Sequence, residues 1–287
     1  MSLQRDRVVV VTGASRGAGK GIALALGATG ATVYVTGRTR QEGDAPLPGT
    51  VQATADAVTA AGGRGIAVYC DHADDRQTRS LFEQVSREQG RLDILVNNAT
   101  LIPDALTDTG PFWEKPLELI ELLNVGLRSH YTASWFAAPL LLANGEGLVV
   151  NTSSFGGKIY MHGPAYGAGK AGADKMAHDM AVDFRPHGVA VVSLWLGLLA
   201  TERTLRVFEA EPQKYAGMMD ATESPEFGGR VIDALARDSS LMEKSGKVWV
   251  AAELAREYRL SDINGRQPVS PRQMFGDPTV FGDAVVE

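Results

Sequence analysis

Seven short runs of apolar, β-prone residues recur along the chain, each separated from the next by a stretch with helical character. They cover residues 7–11, 32–36, 65–70, 92–97, 147–153, 189–196 and 247–250. Most are continuous in Val, Ile and Leu rather than alternating with polar residues, which is the pattern of strands covered on both faces. Parallel neighbours need a long crossover between them, and a helix supplies it. The runs therefore predict one α/β domain, a doubly wound parallel seven-stranded sheet with helices on both faces. Helical spacing is clearest over 165–185, where Ala173, Met176, Ala177, Met180, Ala181 and Phe184 fall at i, i+3, i+4 steps. The length of 287 residues allows one large domain or two small ones. The unbroken alternation offers no boundary for a second, so residues 1–287 are read as one domain.

Three segments depart from the alternation. Residues 37–50 form a loop rich in Gly, Pro and Asp, and 198–227 is a mixed insertion after the sixth run, expected to act as a substrate lid. Residues 260–287 are polar, carry three prolines, and are expected to lie on the surface or on a neighbouring subunit.

Composition excludes several functions. Lys+Arg at 28 against Asp+Glu at 34 leaves a net charge of -6, the wrong sign for a non-specific nucleic-acid binder. The single cysteine, Cys70, excludes an intrachain disulfide and any CxxC metal site, and the five histidines have no metal-ligand spacing. No apolar run is long enough to cross a bilayer. A short polar stretch passes directly into the first strand, so no signal peptide is expected. A cytoplasmic protein with no integral membrane segment, no nucleic-acid partner and no metal is expected.

The first strand leads straight into Thr12-Gly13-Ala14-Ser15-Arg16-Gly17-Ala18-Gly19 and then an apolar-faced helix. Glycines in this place permit a tight turn and let backbone N–H groups reach a phosphate at the helix N-terminus. The TGxxxGxG spacing differs from the usual GxGxxG, and its position between strand and helix is what marks it as a dinucleotide turn of Rossmann type. An NAD site normally ends its second strand with a carboxylate for the ribose 2′-OH. Here that strand ends Thr36-Gly37-Arg38-Thr39-Arg40, and Arg16 lies inside the turn. Two guanidiniums on that side favour a 2′-phosphate, so NADP(H) is expected in preference to NAD(H).

Tyr166 and Lys170 are spaced i, i+4 at the start of the long helix and so share a face. A tyrosine is a poor base at neutral pH, and an ammonium one turn away favours its ionised form. Upstream, Asn151-Thr152-Ser153-Ser154 closes the fifth strand at the carboxyl edge of the sheet, where α/β folds bind ligands. Ser154 is thereby placed to hydrogen-bond a substrate carbonyl beside Tyr166.

Taken together these motifs resemble the short-chain dehydrogenase/reductase family. The glycine turn, Asn97-Asn98-Ala99 after the fourth strand, Asn124, Ser154, Tyr166 and Lys170 occur in that family's order. One subgroup of NADP(H)-linked carbonyl reductases is more similar still, in stretches such as Phe82-Glu-Gln-Val-Ser-Arg-Glu-Gln and Asn124-Val-Gly-Leu-Arg-Ser-His-Tyr131. The resemblance implies hydride transfer between NADP(H) and a carbonyl or alcohol, in a homodimer or homotetramer paired through helices at 117–143 and 165–185. It implies Tyr166 as general acid or base, Lys170 to lower its pKa and hold the ribose, and Ser154 to orient the carbonyl oxygen. Asn124 is implied to kink its helix and place a water that links Lys170 to solvent. Gly13, Ser15, Arg16, Gly17, Ala18 and Gly19 are implied in the pyrophosphate turn, Arg38 at the 2′-phosphate, and Asp71 and His72 at the adenine. Asn98 is implied at the ribose, and Thr201 over the carboxamide.

Three departures from the family pattern matter. Thr100 stands where glycine is usual, which questions the local turn. Leu196-Gly197 replaces Pro-Gly, and without the φ lock of proline the base of the insertion is expected to loosen. Ser154 precedes Tyr166 by one residue fewer than is common, so Ser153 competes for its role; Ser154 is preferred because Gly157 completes its Ser-x-x-Gly motif. For the substrate region, Leu101, Ile102, Phe112, Trp113, Phe155, Ile159, Tyr160, Trp195 and 205–219 are mostly apolar, with no Lys or Arg standing out. A lipophilic carbonyl is expected. His162 is a candidate for the pocket wall, and Cys70 is read as a small buried hydrophobe.

Overall fold

A computed structural model describes residues 6–286. The strands are β1 (Val8–Val11), β2 (Thr32–Gly37), β3 (Arg64–Tyr69), β4 (Ile94–Asn97), β5 (Gly147–Ser153), β6 (Val189–Trp195) and β7 (Val248–Val250). All pair in parallel, in the order β3-β2-β1-β4-β5-β6-β7. The longer helices are α1 (Gly17–Gly27), α2 (Val51–Ala60), α3 (Asp75–Gln89), α5 (Ser129–Asn144), α6 (Pro164–Phe184), α7 (Glu202–Ala210) and α8 (Phe227–Leu235). Shorter ones are α4 (Glu121–Leu123), α9 (Leu241–Lys244), α10 (Ala251–Glu257) and α11 (Arg272–Phe275).

The sheet is buried on both faces because its strands carry apolar residues at successive positions. Val9 and Val11 pack with Ile22, Leu26, Val58, Val231 and Leu254 of α1, α2, α8 and α10. Val8 and Val10, pointing the other way, pack with Leu81, Val85, Ala137, Ala177 and Ala181 of α3, α5 and α6. The apolar stripe anticipated on α6 is thus spent on its own sheet: Ala173, Ala177, Ala181 and Phe184 are all buried.

Winding starts at the middle of the sheet, runs outward through β2 and β3, and restarts at β4 on the other side of β1. The reversal opens a crevice between the carboxyl ends of β1 and β4. The loops bounding it are in close contact, since a Cβ on Gly13 (φ +64°) would lie 2.7 Å from the Ala99 Cα. Thr100 adopts no left-handed backbone, so the turn after β4 accommodates a β-branched residue where glycine is usual.

The base of the insertion is pinned, contrary to the expectation drawn from the missing proline. The Leu196 N–H donates to the Ser153 carbonyl, a bond that proline could not make. The Ala200 N–H donates to the Glu223 carbonyl at 2.9 Å, and the Glu223 N–H to the Leu198 carbonyl at 2.7 Å. The Glu223 carboxylate accepts from the Gly197 N–H at 3.1 Å.

The C-terminal segment packs on its own chain. Buried Asp262 accepts from the Ser224 N–H and hydroxyl, and Arg266 donates to the carbonyls of Asp220 and Thr222. Further on, Phe275 packs against Phe155 at 5.3 Å and Phe281 against His178 at 5.1 Å.

Candidate active site

Strand β5 and helix α6 meet where β5 ends. Ser154 begins the single turn Phe155–Gly157 and accepts from the Gly156 N–H. Its Oγ lies 2.9 Å from Tyr166 Oη. Ser153, the last residue of β5, instead donates to the Lys170 carbonyl at 3.3 Å. Ser154, not Ser153, is therefore the serine in contact with the tyrosine. Lys170 Nζ donates to the Thr152 carbonyl at 3.1 Å and stands 5.8 Å from the centre of the Tyr166 ring.

Burial pushes the Tyr166 phenol above its ordinary pKa, and the bond to Ser154 opposes that rise. The expected fall is thus not the net outcome, because desolvation of the ring outweighs what stabilises the tyrosinate. Burial also pushes Lys170 down to about 8, with the charge of Asp174 opposing. Asp174 is itself buried one turn beyond Lys170, where its carboxylate accepts from Ser193 Oγ at 2.5 Å and Trp195 Nε1 at 3.0 Å.

Asn124 opens a π-turn, Asn124–Arg128, in which Val125 and Gly126 leave helical geometry. The Val125 carbonyl freed by this kink accepts from the Leu101 N–H at 2.8 Å. The Asn124 amide donates to Glu121 Oε2 at 3.0 Å, on the exposed rim of the site.

The glycine turn fits a dinucleotide pyrophosphate. A Cβ on Gly19 would collide with the Gly13 carbonyl and lie 2.5 Å from the Asn98 amide nitrogen, so only glycine permits this closeness. That nitrogen donates to the Thr12 and Gly13 carbonyls at 2.9 and 3.0 Å and holds the turn in place. The Gly17 N–H, at the α1 N-terminus, already hydrogen-bonds a carboxylate, Glu202 Oε2 at 2.9 Å, and so shows an affinity for anionic oxygen. Gly13, Ser15, Arg16, Gly17, Ala18, Gly19, Arg38, Asp71, His72, Asn98, Ser154, Tyr166, Lys170 and Thr201 all line one cleft of about 1260 Å³. Its length carries it from the residues at the end of β2 to the tyrosine, room for a dinucleotide and a small substrate together.

The two arginines at the adenosine end differ. Three of the Arg16 donor contacts are committed, to the Pro48 and Gly49 carbonyls and to Thr39 Oγ1. The residue 37–50 loop is thereby clamped onto the glycine turn. Arg38 is largely exposed, with Asp71 Oδ2 3.8 Å from its Nη1. The His72 ring turns inward to Thr36 Oγ1 at 2.8 Å, and burial pushes its pKa down to about 4. Cys70 is buried beside it, its thiol pushed up to about 12 by desolvation.

The expected substrate wall is only partly present. Leu101 and Ile102 line the cleft with Val125, Leu196, Leu199 and Val207. Phe112, Trp113 and Tyr160 are exposed instead. Phe155, in the turn after β5, and Trp195, at the end of β6, turn away into a core cluster with Val248, Val250 and Ala252. His162 has a left-handed backbone (φ 59°) and its ring meets Tyr166 edge-on at 5.1 Å.

Sequence reasoning missed Glu202, Arg203 and Arg206, which α7 brings to the cleft. It also missed the buried bonds behind the site, Asn97 Nδ2 to Asn151 Oδ1 and to Ser134 Oγ, each 2.9 Å. Only the unusual run of polar residues at the ends of β4 and β5 signalled them.

The family described as short chain dehydrogenase matches residues 7–212. The chain belongs to that family of oxidoreductases, whose members use nicotinamide cofactors. It is 44% identical over 273 residues to dehydrogenase/reductase SDR family member 1 of Mus musculus, covering 91% of this chain and 85% of that protein. The Homo sapiens protein of the same name is 42% identical over 271 residues, covering 91% and 84%. Among solved structures, a short-chain type dehydrogenase/reductase from Mycobacterium marinum aligns with a TM-score of 0.70 and 26% identity, over 85% of this chain and 93% of that one.

Proposed function

We propose that the chain is an NADP(H)-dependent carbonyl reductase that acts on a mostly apolar ketone or aldehyde. The observation that carries this reading is the Ser154–Tyr166 pair, 2.9 Å apart, beside Lys170 in a cleft that begins at the glycine turn. A bound nicotinamide cofactor supplies the hydride. Tyr166 Oη gives its proton to the carbonyl oxygen, and Ser154 Oγ donates a hydrogen bond to the same oxygen. Its raised pKa keeps Tyr166 protonated at neutral pH, which suits reduction. Lys170 holds positive charge beside the tyrosinate left behind, and Asn124 at the kink links it to solvent. Gly13, Gly17 and Gly19 hold the pyrophosphate, Arg38 reads the 2′-phosphate, Asp71 and the His72 backbone border the adenine, and Asn98 and Thr201 border the nicotinamide riboside.

The apolar character of Leu101, Ile102, Val125, Leu199 and Val207 supports a lipophilic substrate, such as a steroid, quinone, fatty or xenobiotic carbonyl. Residues 198–227 act as its lid. A cytoplasmic homodimer or homotetramer completes the reading. Exposed Leu117, Ile120, Tyr131 and Trp135 support pairing through the helices at 117–143; among the described residues no helix is long and apolar enough to cross a membrane. The test is NADPH oxidation at 340 nm across a panel of ketones, aldehydes and quinones. Turnover with at least one apolar carbonyl is expected. Failure with every member, by protein that binds NADPH, refutes the substrate reading.

A further inference from the structure

Helix α7 lies across the cleft. Thr201 caps it, accepting from the Thr204 N–H, and Glu202 is its first residue. Arg203 ties the helix to the far wall, with Nη1 2.9 Å from Asp104 Oδ1 and Nη2 3.1 Å from the Ile102 carbonyl. Glu202 ties it to the near wall. Its carboxylate takes the Gly17 N–H at 2.9 Å, a contact between residues 185 apart in sequence. Burial holds the guanidinium of Arg16, one residue before Gly17, below its ordinary pKa, and the same carboxylate opposes that fall.

The Gly17 N–H is one of the donors that an α-helix leaves unpaired at its N-terminus. It lies in the glycine turn proposed to hold the cofactor pyrophosphate. One N–H cannot serve two anions at full strength, and a carboxylate beside a pyrophosphate is a like-charge pair that repels. From this we infer that Glu202 sets cofactor affinity by competing with the pyrophosphate for the Gly17 N–H. The inference rests on the reading of the cleft as a dinucleotide site and adds a residue that the reading itself does not use.

The competition has a defined form. If the Glu202–Gly17 contact is closed ten times as often as open, the apparent Kd of the cofactor is raised about tenfold. A charge-assisted bond at a half-buried position is of about that strength, since tenfold corresponds to about 1.4 kcal/mol. The effect falls on the pyrophosphate and ignores the 2′-phosphate. It therefore changes affinity for NADPH and NADH by the same factor and leaves their ratio alone. Opening of the contact precedes binding, so most of the effect falls on the association rate.

The experiment is a set of calorimetric titrations of the full chain with NADPH, NADH, ADP-ribose and adenosine 2′-phosphate, in the parent, Glu202→Ala and Glu202→Gln. The glutamine variant keeps the length and shape of the side chain, which guards against loss of the fold. Glu202→Ala is expected to tighten NADPH, NADH and ADP-ribose alike, by about tenfold, and to leave adenosine 2′-phosphate unchanged, because that fragment lacks the pyrophosphate. Glu202→Gln is expected to give a smaller gain in the same direction, and stopped-flow fluorescence should place the gain in the association rate. Unchanged or weaker binding in both variants overturns the inference while leaving the dinucleotide site in place. Equal tightening of adenosine 2′-phosphate overturns it as well, by moving the effect to general access to the cleft. A parent that binds none of the four overturns the dinucleotide reading itself, and this inference with it.

Discussion

Replacing Arg38 with alanine should reduce the preference for NADPH over NADH by about tenfold. Two guanidiniums border the place where a 2′-phosphate would lie, but they are not equivalent. Arg16 spends its contacts on the Pro48 and Gly49 carbonyls and Thr39, so its role is largely to hold the 37–50 loop. Among the described residues Arg38 makes no bond of that kind, and its side chain is 62% exposed. A charge-assisted hydrogen bond contributes about 1.5–3 kcal/mol, and solvent around Arg38 places it at the low end. About 1.4 kcal/mol is tenfold in kcat/KM. Reversal should need a carboxylate as well. Gly37 closes β2, and a Cβ there would meet Val51 at 3.3 Å and Ser15 at 3.6 Å, so the first carbon of an aspartate requires the Val51 side chain to give by only a few tenths of an ångström. With Arg38→Ala it should move the preference toward NADH. The assay is kcat/KM for both cofactors at fixed salt. A parent that uses both equally, or a ratio unmoved in Arg38→Ala, refutes the reasoning.

Two further outcomes are expected. Ser154→Ala should cut turnover far more than Ser153→Ala, because only Ser154 reaches the tyrosine hydroxyl; steady-state rates in the reverse order would transfer the role to Ser153. Stability should decline as pH falls below about 6.5, the unfolded-state value for histidine. His72 and His130 are held neutral by burial, pushed down to about 4 and 3, so between those values and 6.5 the unfolded chain binds more protons at these two sites, while buried Glu223, pushed up to about 7, opposes them with one proton held in the folded state. Urea titrations from pH 7.5 to 4.5 read this directly, and a flat midpoint across that range contradicts it.

Most strands were legible in the sequence because they are rich in consecutive Val, Ile and Leu, the pattern of strands buried on both faces; edge strand β3, with no fully buried residue, is the exception. The glycine turn and the Tyr166–Lys170 spacing were legible because local geometry dictates them: one needs positive φ and close approach, the other one helical turn. What escaped depends on contacts between distant parts of the chain. Phe155 and Trp195 looked like pocket lining, yet the direction in which each points turns them into a core that the C-terminal segment completes through Phe275. Leu196 looked like a weakened joint, and its N–H proved to be the reason that no proline is needed. Glu202 carried no signal at all, since nothing local marks a residue that meets its partner 185 positions away.

The central claim is that Tyr166 supplies the proton for carbonyl reduction. Tyr166→Phe removes the hydroxyl and keeps the ring that fills the space above Gly156. General acid–base groups contribute about 10²–10⁴-fold. The measurement is single-turnover NADPH oxidation at 340 nm, with a reactive carbonyl, alongside NADPH binding in the same protein. The account predicts a fall of at least about a hundredfold in the rate with the Kd for NADPH unchanged. A variant that turns over at the parent rate contradicts it.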